Sequence, residues 1–525
     1  MLQIVVKKLK KSGFLPTVLW FLFIAAIVFI ISYRFQFNSQ TPYFTGEDSF
    51  YHVGMAKLMM SSGIFIQHFP YLNFTIINNK FVDSHYLFHL LLIPFIKIFG
   101  EVIGPKILVL TLFSAIFGIV YLIFKERKLK LAPLYALILF FVMPEHFYLR
   151  MSFIRDPVFS LFLMLLSVFF LLKKKPWALA ITMFIYAWSY YVGAVLIFFL
   201  FLAYLITPIF TGEKINYKLV LFGLGGYLCG IIINPYFPQN ISFFFIQAFS
   251  AGFSTGDFWG SEHAPYDAWY WFTSSLSAVL LFFGGITFTF LKRIRQDAFS
   301  IAFFIFTVFI LILEWKSRRF AEYWPLLGGI SGILLCGKYL EETLISIIMS
   351  LRLQACASAR QSIFKPEKIA VIILIVIFLE VSFFTSLFSF SNTFKDVGTD
   401  QNVDGLKEAS VYLKNNSDSK DMVFNDTWSM FPYLFYFNQK DYYIVGLDPS
   451  FLKDYDQKLF DEYYALTFDN DSARSSDANL IKTDFKAKWA IISSEHGTLK
   501  SKVEAFPGVF EKKFENNSYT IYKVL

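Results

Sequence analysis

Long apolar runs separated by short polar segments make up the first three quarters of the chain, from Phe14 to about Phe390. A helix that crosses a membrane needs about 20 predominantly apolar residues, and many of these runs approach that length. Threading them predicts about eleven spanning helices, at 14–34, 104–124, 131–145, 157–173, 177–189, 191–209, 218–235, 268–291, 298–314, 323–337 and 369–391. The pattern predicts an all-α, multi-pass membrane bundle.

A long loop, 35–103, follows the first predicted span. Its stretch Tyr86–Gly100 is apolar but short and contains Lys97, so we interpret it as a helix on the outer membrane surface. A second surface helix is predicted to begin near Asp48 and to end at Ser61-Ser62-Gly63, because glycine commonly terminates helices.

The pattern changes at about residue 391, where charged and alternating positions replace the apolar runs. We therefore divide the chain into a transmembrane domain, 1–391, and a soluble domain, 392–525. The second part shows a helical pattern near 403–415 and strand-like runs at Asp421–Asn425, Tyr442–Val445, Lys488–Ser493 and Tyr519–Val524. Strands that alternate with helical segments predict a small α/β domain.

Composition and charge agree with this topology. Only 16% of the residues are charged, against about 25% in soluble domains. The net charge of +8 would suit nucleic acid, but the threading puts every basic cluster on one side of the membrane: Lys7–Lys11, Lys125–Lys130, Lys173–Lys175, Lys214 with Lys218, Lys292–Arg295, and Lys338–Lys368. The positive-inside rule then predicts a multi-pass plasma-membrane protein with a cytoplasmic N-terminus and an extracytoplasmic C-terminal domain. A lipid bilayer is the expected partner, and nucleic acid is not.

Unusual ionisable residues collect on the predicted outer face. They are Glu47, Asp48 and His52 after the first span, Arg150, Arg155 and Asp156 after the third, Glu262 and His263 before the eighth, and Arg318, Arg319 and Glu322 after the ninth. Carboxylates beside arginines suit a hard divalent cation and a phosphate-bearing ligand. The alternative is that outer loops are simply polar.

Asp48 lies at the predicted start of a surface helix, a position that suits both a functional carboxylate and an N-cap. The two roles are compatible. His52 follows one turn later, and we expect it to pack at the interface or to support the site from behind.

These motifs resemble a known family. Asp48-Ser-Phe-Tyr-His52 after the first span resembles the first outer loop of the GT-C membrane glycosyltransferases. Arg150-Met-Ser-Phe-Ile-Arg-Asp156 resembles the second acidic loop of the oligosaccharyltransferase catalytic subunit, and Ser261-Glu-His-Ala-Pro265 is similar to its loop glutamate. Arg318-Arg-Phe-Ala-Glu-Tyr-Trp-Pro325 resembles the arginine-containing loop before a late span. The resemblance covers the membrane domain as an ordered series.

One motif of that family is missing. Oligosaccharyltransferases have Trp-Trp-Asp-Tyr-Gly in the C-terminal domain, where it holds the Ser or Thr of the acceptor sequon. The nearest stretch here is Asn425-Asp-Thr-Trp-Ser-Met-Phe-Pro432, with one Trp and no Asp-Tyr-Gly. This difference favours a GT-C transferase with another acceptor, in which Trp428 is structural or contacts the acceptor in a new way.

The resemblance implies an inverting transfer of a sugar or glycan from a polyprenyl-phosphate-type donor to a glycan, lipid or protein acceptor. In metal-dependent members Asp48, Asp156 and Glu262 would hold a divalent cation, Mg²⁺ or Mn²⁺, or orient the acceptor. In metal-independent members one carboxylate acts as general base. Asp48 is the expected essential carboxylate in either case.

The resemblance also gives a set of expected substrate-binding residues: Glu47, His52, His85, Arg150, Arg155, His263, Arg318, Arg319 and Trp428. We expect Arg318 and Arg319 to bind the donor phosphate. The alternative for these two is an interfacial salt bridge to Glu322.

Two other functions remain open. One is protein N-oligosaccharyltransferase itself. The other is a non-enzymatic transporter or flippase of lipid-linked sugar, which should show paired broken helices and ionisable groups at mid-membrane. The sequence offers only Asn234-Pro235, Gly284-Gly285 and Glu380 for that role.

Overall fold

The computed structural model describes residues 14–37, 42–78, 81–247, 261–352, 366–398, 403–468 and 477–525. The part before residue 399 is helical. Its helices are α1 (Phe14–Gln36), α2 (Glu47–Ser62), α3 (Tyr86–Phe99), α4 (Ile103–Glu126), α5 (Ala132–Phe141), α6 (Glu145–Ser152), α7 (Pro157–Leu172), α8 (Pro176–Ala194), α9 (Leu196–Ile206), α10 (Pro208–Thr211), α11 (Tyr217–Ile233), α12 (Gln239–Phe245), α13 (Ala268–Ser274), α14 (Leu276–Leu291), α15 (Ala298–Lys316), α16 (Trp324–Arg352) and α17 (Pro366–Gly398).

Several of these helices are suited to a bilayer. By length and composition, four helical segments in the described ranges could cross a membrane: Phe14–Gln36, Ile103–Glu126, Ala298–Lys316 and Val371–Val397. The number rises to seven if each strongly bent helix pair counts as one span. Three more apolar helices, α3, α7 and α11, are shorter. A multi-pass helical membrane fold is confirmed, whereas the predicted count of about eleven spans is not.

Three predicted spans or span pairs are bent. The structure turns by 90° between α5 and α6, by 94° between α8 and the helix that follows it, and by 79° between α13 and α14. The first bend precedes Pro144, which disfavours helical geometry in the residue before it. At the second bend Tyr190 leaves the helical region, with φ −150° and ψ 81°. The sequence predicted the second break, as a turn between the spans 177–189 and 191–209. It did not predict that the helix expected at 131–145 ends at Phe141, or that the span 268–291 breaks at Ser275.

Helices are present at both positions where the sequence predicted surface helices. Helix α2 ends at Gly63, whose φ of 100° and N–H bond to Met59 O terminate it. Asp48 is not the N-cap: that position belongs to Gly46, with φ 76°. A Cβ on Gly46 would also lie 3.0 Å from the Phe153 ring, so glycine is needed there for two reasons. The Asp48 carboxylate is therefore available for another partner.

The C-terminal segment, 403–525, contains a mixed sheet. Helix α18 (Val403–Asn416) precedes strands β1 (Met422–Asn425), β2 (Tyr442–Tyr443), β3 (Trp489–Ser493), β4 (Phe510–Glu515) and β5 (Tyr519–Val524) in the order β2-β1-β3-β5-β4. Strands β1 to β3 are parallel, and β5 is antiparallel to β3 and β4. The sequence missed β4, an edge strand whose charged side chains are mostly exposed. Helix α17 continues to Gly398, past the boundary predicted at 391/392.

The remaining helices of this segment are α19 (Phe431–Phe437), α20 (Ser450–Tyr455), α21 (Gln457–Thr467), α22 (Leu480–Thr483) and α23 (Gly497–Glu504). Helix α19 packs directly on α2. The Phe50 ring lies 4.4 Å from the Tyr433 ring, and Gln439 donates a hydrogen bond of 2.9 Å to Gly54 O. A Cβ on Gly54 would lie 2.9 Å from Phe435, so glycine permits this close approach. The early surface helix and the C-terminal segment thus share one aromatic interface.

A buried pair in the C-terminal segment makes its stability depend on pH. His496 Nδ1 lies 2.8 Å from Oδ2 of the fully buried Asp426, and this hydrogen bond raises the pKa of His496. Because the pKa of His496 is higher in the folded state, protonated His496 stabilises the fold. This stabilisation is complete below the unfolded-state pKa of about 6.5 and is lost as the pH rises through the folded-state pKa. The gap in unfolding midpoint between the wild type and His496→Gln should therefore be larger at about pH 6 than at about pH 9. Thermal unfolding in detergent measures this gap, and a gap of equal size at both pH values would contradict the expectation.

Candidate functional site

Six charged side chains from four chain segments meet at one end of the helical part. Arg155 Nη1 lies 3.0 Å from Asp48 Oδ2 and 3.5 Å from Glu262 Oε1, and its Nη2 pairs with Glu322. Arg150 contacts Glu262 at 3.2 Å and Glu322 at 2.7 Å. Arg319 Nε lies 3.3 Å from Glu262 Oε2. We call these six residues the ion-pair cluster.

Backbone contacts hold the segments together. The N–H of Ile154 donates to Ser49 Oγ at 2.8 Å, which ties the start of α2 to the loop containing Arg155. The loop with Glu262 and the loop with Arg319 are joined by Ser317 Oγ donating to Glu262 O at 2.8 Å. These bonds fix where the carboxylates and guanidiniums stand.

Burial divides the ion-pair cluster into two layers. The side chains of Arg150, Arg155 and Glu322 are nearly inaccessible. Asp48, Glu262 and Arg319 keep 45%, 35% and 44% of their side-chain surface. Buried guanidinium groups therefore orient carboxylates that solvent or a ligand can reach.

Electrostatics favour the charged forms of Glu262 and Arg155. Burial alone would raise the pKa of the Glu262 carboxyl, but Arg150, Arg155 and Arg319 together hold it well below its usual value. Burial likewise disfavours the charged form of Arg155, yet the surrounding carboxylates raise its pKa above the ordinary value. Charges held fixed by protein partners need no rearrangement when a charged ligand arrives.

Asp156 has different neighbours, although it follows Arg155 in the chain. It is fully buried, and its Oδ1 accepts a hydrogen bond of 2.5 Å from Ser189. Its Oδ2 lies 3.8 Å from His85 Nδ1, and neither of these two atoms has a hydrogen-bond partner among the described residues. The His85 ring stacks on Tyr190 with 5.0 Å between centroids.

A shared metal ion among the carboxylates stays a prediction. Within the described ranges no three His, Cys, Asp or Glu side chains are placed to hold one ion. Asp48 and Glu262 already contact guanidinium groups, and Asp156 contacts Ser189. As placed, the three residues therefore do not fit a common divalent cation.

The other predicted substrate-binding residues surround the ion-pair cluster or lie apart from it. Arg318 donates through Nε to Pro265 O at 3.2 Å. Among the described contacts, neither Arg318 nor Arg319 forms the salt bridge to Glu322 that was the alternative to phosphate binding. Half-buried His263 is adjacent to Glu262, and its pKa is lowered, first by burial and then by Arg319. Glu47 begins α2, and Trp428 packs against the core of the C-terminal segment. The contact of Trp428 favours its structural interpretation.

The sequence analysis missed two buried residues, Asp83 and His89. His52 Nδ1 lies 2.7 Å from His89 Nε2, and His89 Nδ1 lies 2.7 Å from Asp83 Oδ2. The available signal was His85, the residue before α3, and His89, one turn into α3, both shortly after Asp83. The sequence could not show that His52, from another helix, continues this series.

Comparison with known proteins identifies the fold. No protein-family model and no curated protein sequence matches the chain. The structure is similar to the oligosaccharyltransferase AglB from Archaeoglobus fulgidus in complex with an inhibitory peptide and a dolichol-phosphate, with TM-score 0.63 and 13% identity over 96% of this chain and 74% of that one. It is also similar to ArnT from Cupriavidus metallidurans in the apo state, with TM-score 0.56 and 13% identity over 98% of both chains.

These neighbours confirm the resemblance that the sequence motifs indicated. The chain has a GT-C-type membrane fold like that of oligosaccharyltransferase AglB and of ArnT. At this level of identity the likeness establishes the fold, and the activity has to be argued from the site.

Proposed function

We propose that the chain is an integral membrane glycosyltransferase that moves a sugar or glycan from a polyprenyl-phosphate-type lipid to an acceptor on the outer face of the membrane, with inversion. The observation that supports this proposal best is the layered ion-pair cluster. Buried Arg150 and Arg155 hold Asp48 and Glu262 in place while both carboxylates stay accessible. Strongly perturbed ionisable groups held in this way are typical of catalytic sites.

The accessible residues of the ion-pair cluster, Asp48, Glu262 and Arg319, suit the chemistry of such a donor. Its lipid tail stays in the bilayer, and its phosphate lies at the surface, where exposed Arg319 and half-buried Arg318 supply positive charge. Asp48 would face the acceptor, and Asp156 and Glu262 are its proposed partners in the site. The archaeal neighbour's bound dolichol-phosphate supports a lipid-phosphate ligand, and its inhibitory peptide keeps a peptide acceptor among the candidates.

The test is incubation of the purified chain with a panel of polyprenyl-phosphate and polyprenyl-diphosphate sugars, with glycan, lipid and Asn-X-Ser/Thr peptide acceptors. Consumption of a donor with formation of a glycosylated acceptor is the expected result. Parallel reactions with EDTA, Mg²⁺ or Mn²⁺ measure whether a divalent cation is required. Absence of turnover with every donor and acceptor in the panel contradicts the proposal.

A transporter of lipid-linked sugar is the competing function. The three bent helix pairs support it, because broken helices are typical of transporters. Reconstitution of the chain into vesicles with labelled donor separates the two. Transbilayer movement of the intact donor without consumption identifies a transporter. Consumption that depends on an acceptor identifies a transferase.

The proposed orientation makes a topology prediction. Reporters fused after Lys128 or Arg295 should read cytoplasmic, whereas reporters after Asp156 or at the C-terminus should read extracytoplasmic. The reason is that basic loops remain on the cytoplasmic side. An external signal at Lys128 would contradict the proposed loop scheme.

A further inference from the structure

The buried series Asp83–His89–His52 ends next to Asp48. Asp48 and His52 are four residues apart on α2, so they lie one turn apart on the same helix face. The hydrogen bonds that connect His52 to His89 and His89 to Asp83 are both 2.7 Å long. The three side chains keep at most 5% of their surface accessible.

The hydrogen bonds determine which nitrogen of each ring carries the proton. Asp83 is an acceptor only, so His89 Nδ1 must donate to it. A neutral His89 then has a lone pair at Nε2, and His52 Nδ1 must donate to that lone pair. His52 is consequently left with a lone pair at Nε2, an atom with no hydrogen-bond partner among the described residues.

We propose that His52 is the proton acceptor for the incoming acceptor hydroxyl, and that His89 and Asp83 are positioning residues that fix its tautomer. This assignment rests on the proposed glycosyltransferase function and deepens it. The acceptor oxygen bonds to the anomeric carbon and gives its proton to His52 Nε2. The bond between the anomeric carbon and the phosphate oxygen breaks, and its electron pair leaves with the phosphate.

The Asp83–His89–His52 series can also stabilise the positive charge that His52 gains with the proton. A charge on His52 is opposed by burial and by His89, His85 and Arg155, and these influences lower its pKa well below the usual value. As Nε2 gains a proton, His52 can pass its Nδ1 proton to His89 Nε2. The imidazolium then lies on His89, 2.7 Å from the Asp83 carboxylate, which stabilises it. Atoms and charge balance at each transfer.

The ionisable groups around His52 come from three directions. Asp48 and Tyr51 are on the same helix as His52. His89 is in α3, and His85 is the residue before it. Arg155 is in the loop after α6. The His85 ring lies 5.0 Å from the His52 ring, edge to face. Asp48 remains bound to Arg155, which leaves His52 as the neutral base of the pair.

Asp83→Asn tests the assignment because its amide can donate to His89 Nδ1. That reverses both tautomers and puts a proton on His52 Nε2, where it blocks the base. We expect kcat to fall by about 10²- to 10⁴-fold, the usual contribution of a general base, with KM changed by less than about twofold. The matched control is Asp441→Asn, a buried carboxylate bound to Ser417 and Asn438 in the C-terminal segment, which should leave kcat unchanged.

Nitrogen-15 NMR of histidine-labelled wild-type protein tests the tautomers without any turnover, so a failure of the proposed function does not hide the answer. The His52 signals are those absent from His52→Gln. At neutral pH they should show a protonated Nδ1 and a lone pair at Nε2, and Asp83→Asn should exchange them. A protonated Nε2 in the wild type overturns the assignment. So does turnover of His52→Gln or Asp83→Asn within about threefold of an active wild type.

Discussion

Replacing Asp48 with Asn is expected to lower turnover by at least about 10³-fold. The carboxylate is accessible, and Arg155 holds it at 3.0 Å. Asparagine has nearly the same shape and can still accept that hydrogen bond through Oδ1, so the fold should survive. The lost charge is one that the site keeps in place before the reaction starts, and such preorganised charge is usually the largest catalytic contribution.

The measurement is kcat with the best donor and acceptor, together with the unfolding midpoint of each variant. Glu101→Gln is a matched control, because this half-exposed carboxylate pairs with Lys57 near the far end of α2. It should leave kcat within about twofold of wild type. If Asp48→Asn keeps more than about a tenth of the wild-type turnover, Asp48 contributes only a favourable charge at a helix start, worth about 0.3–1 kcal/mol.

Glu322→Gln is expected to cause the largest loss of stability, about 3–5 kcal/mol in the free energy of unfolding. Glu322 is nearly inaccessible and pairs with both Arg150 and Arg155. Removing its charge leaves two buried guanidiniums with one fewer partner, and an unpaired buried charge is far more costly than a lost surface pair. Arg155 should then hold Asp48 less firmly, so kcat should fall as well.

Unfolding in detergent with increasing denaturant measures this loss. Glu511→Gln removes an exposed pair with Lys513 and should cost no more than about 1 kcal/mol. The double variant Arg150→Gln with Glu322→Gln removes one charge of each sign and should recover part of the stability lost in Glu322→Gln. Equal stability of Glu322→Gln and wild type would contradict the burial argument.

The pattern of apolar residues predicts much of the architecture. Helices such as α4 and α15 follow from long apolar runs, and β1 and β5 follow from short ones bounded by polar residues. The bend between α13 and α14 has no proline or glycine at Ser275 to mark it. Edge strand β4 also left no signal, because its side chains alternate too little to distinguish it from a loop.

For the candidate site, the sequence predicted neither the separate position of Asp156 nor which charged residues form pairs. Order along the chain indicated that Asp48, Arg155 and Glu262 share one side. It could not tell that Glu322 takes both buried arginines, leaving Arg319 to Glu262. Ion pairing depends on side-chain burial across four segments, and a single sequence gives burial only along one helix or strand at a time.

The interface between α2 and α19 has a consequence for biosynthesis. The helix that carries Asp48 and His52 is made well before Phe431–Phe437, which covers its aromatic face. Synthesis proceeds at about 5–20 residues per second, so Phe50 and Gly54 wait uncovered for tens of seconds. On the proposed topology, α19 must also be translocated before it can dock. On that topology, the aromatic faces of α2 and α19 cannot meet until Phe431–Phe437 has been both synthesised and exported.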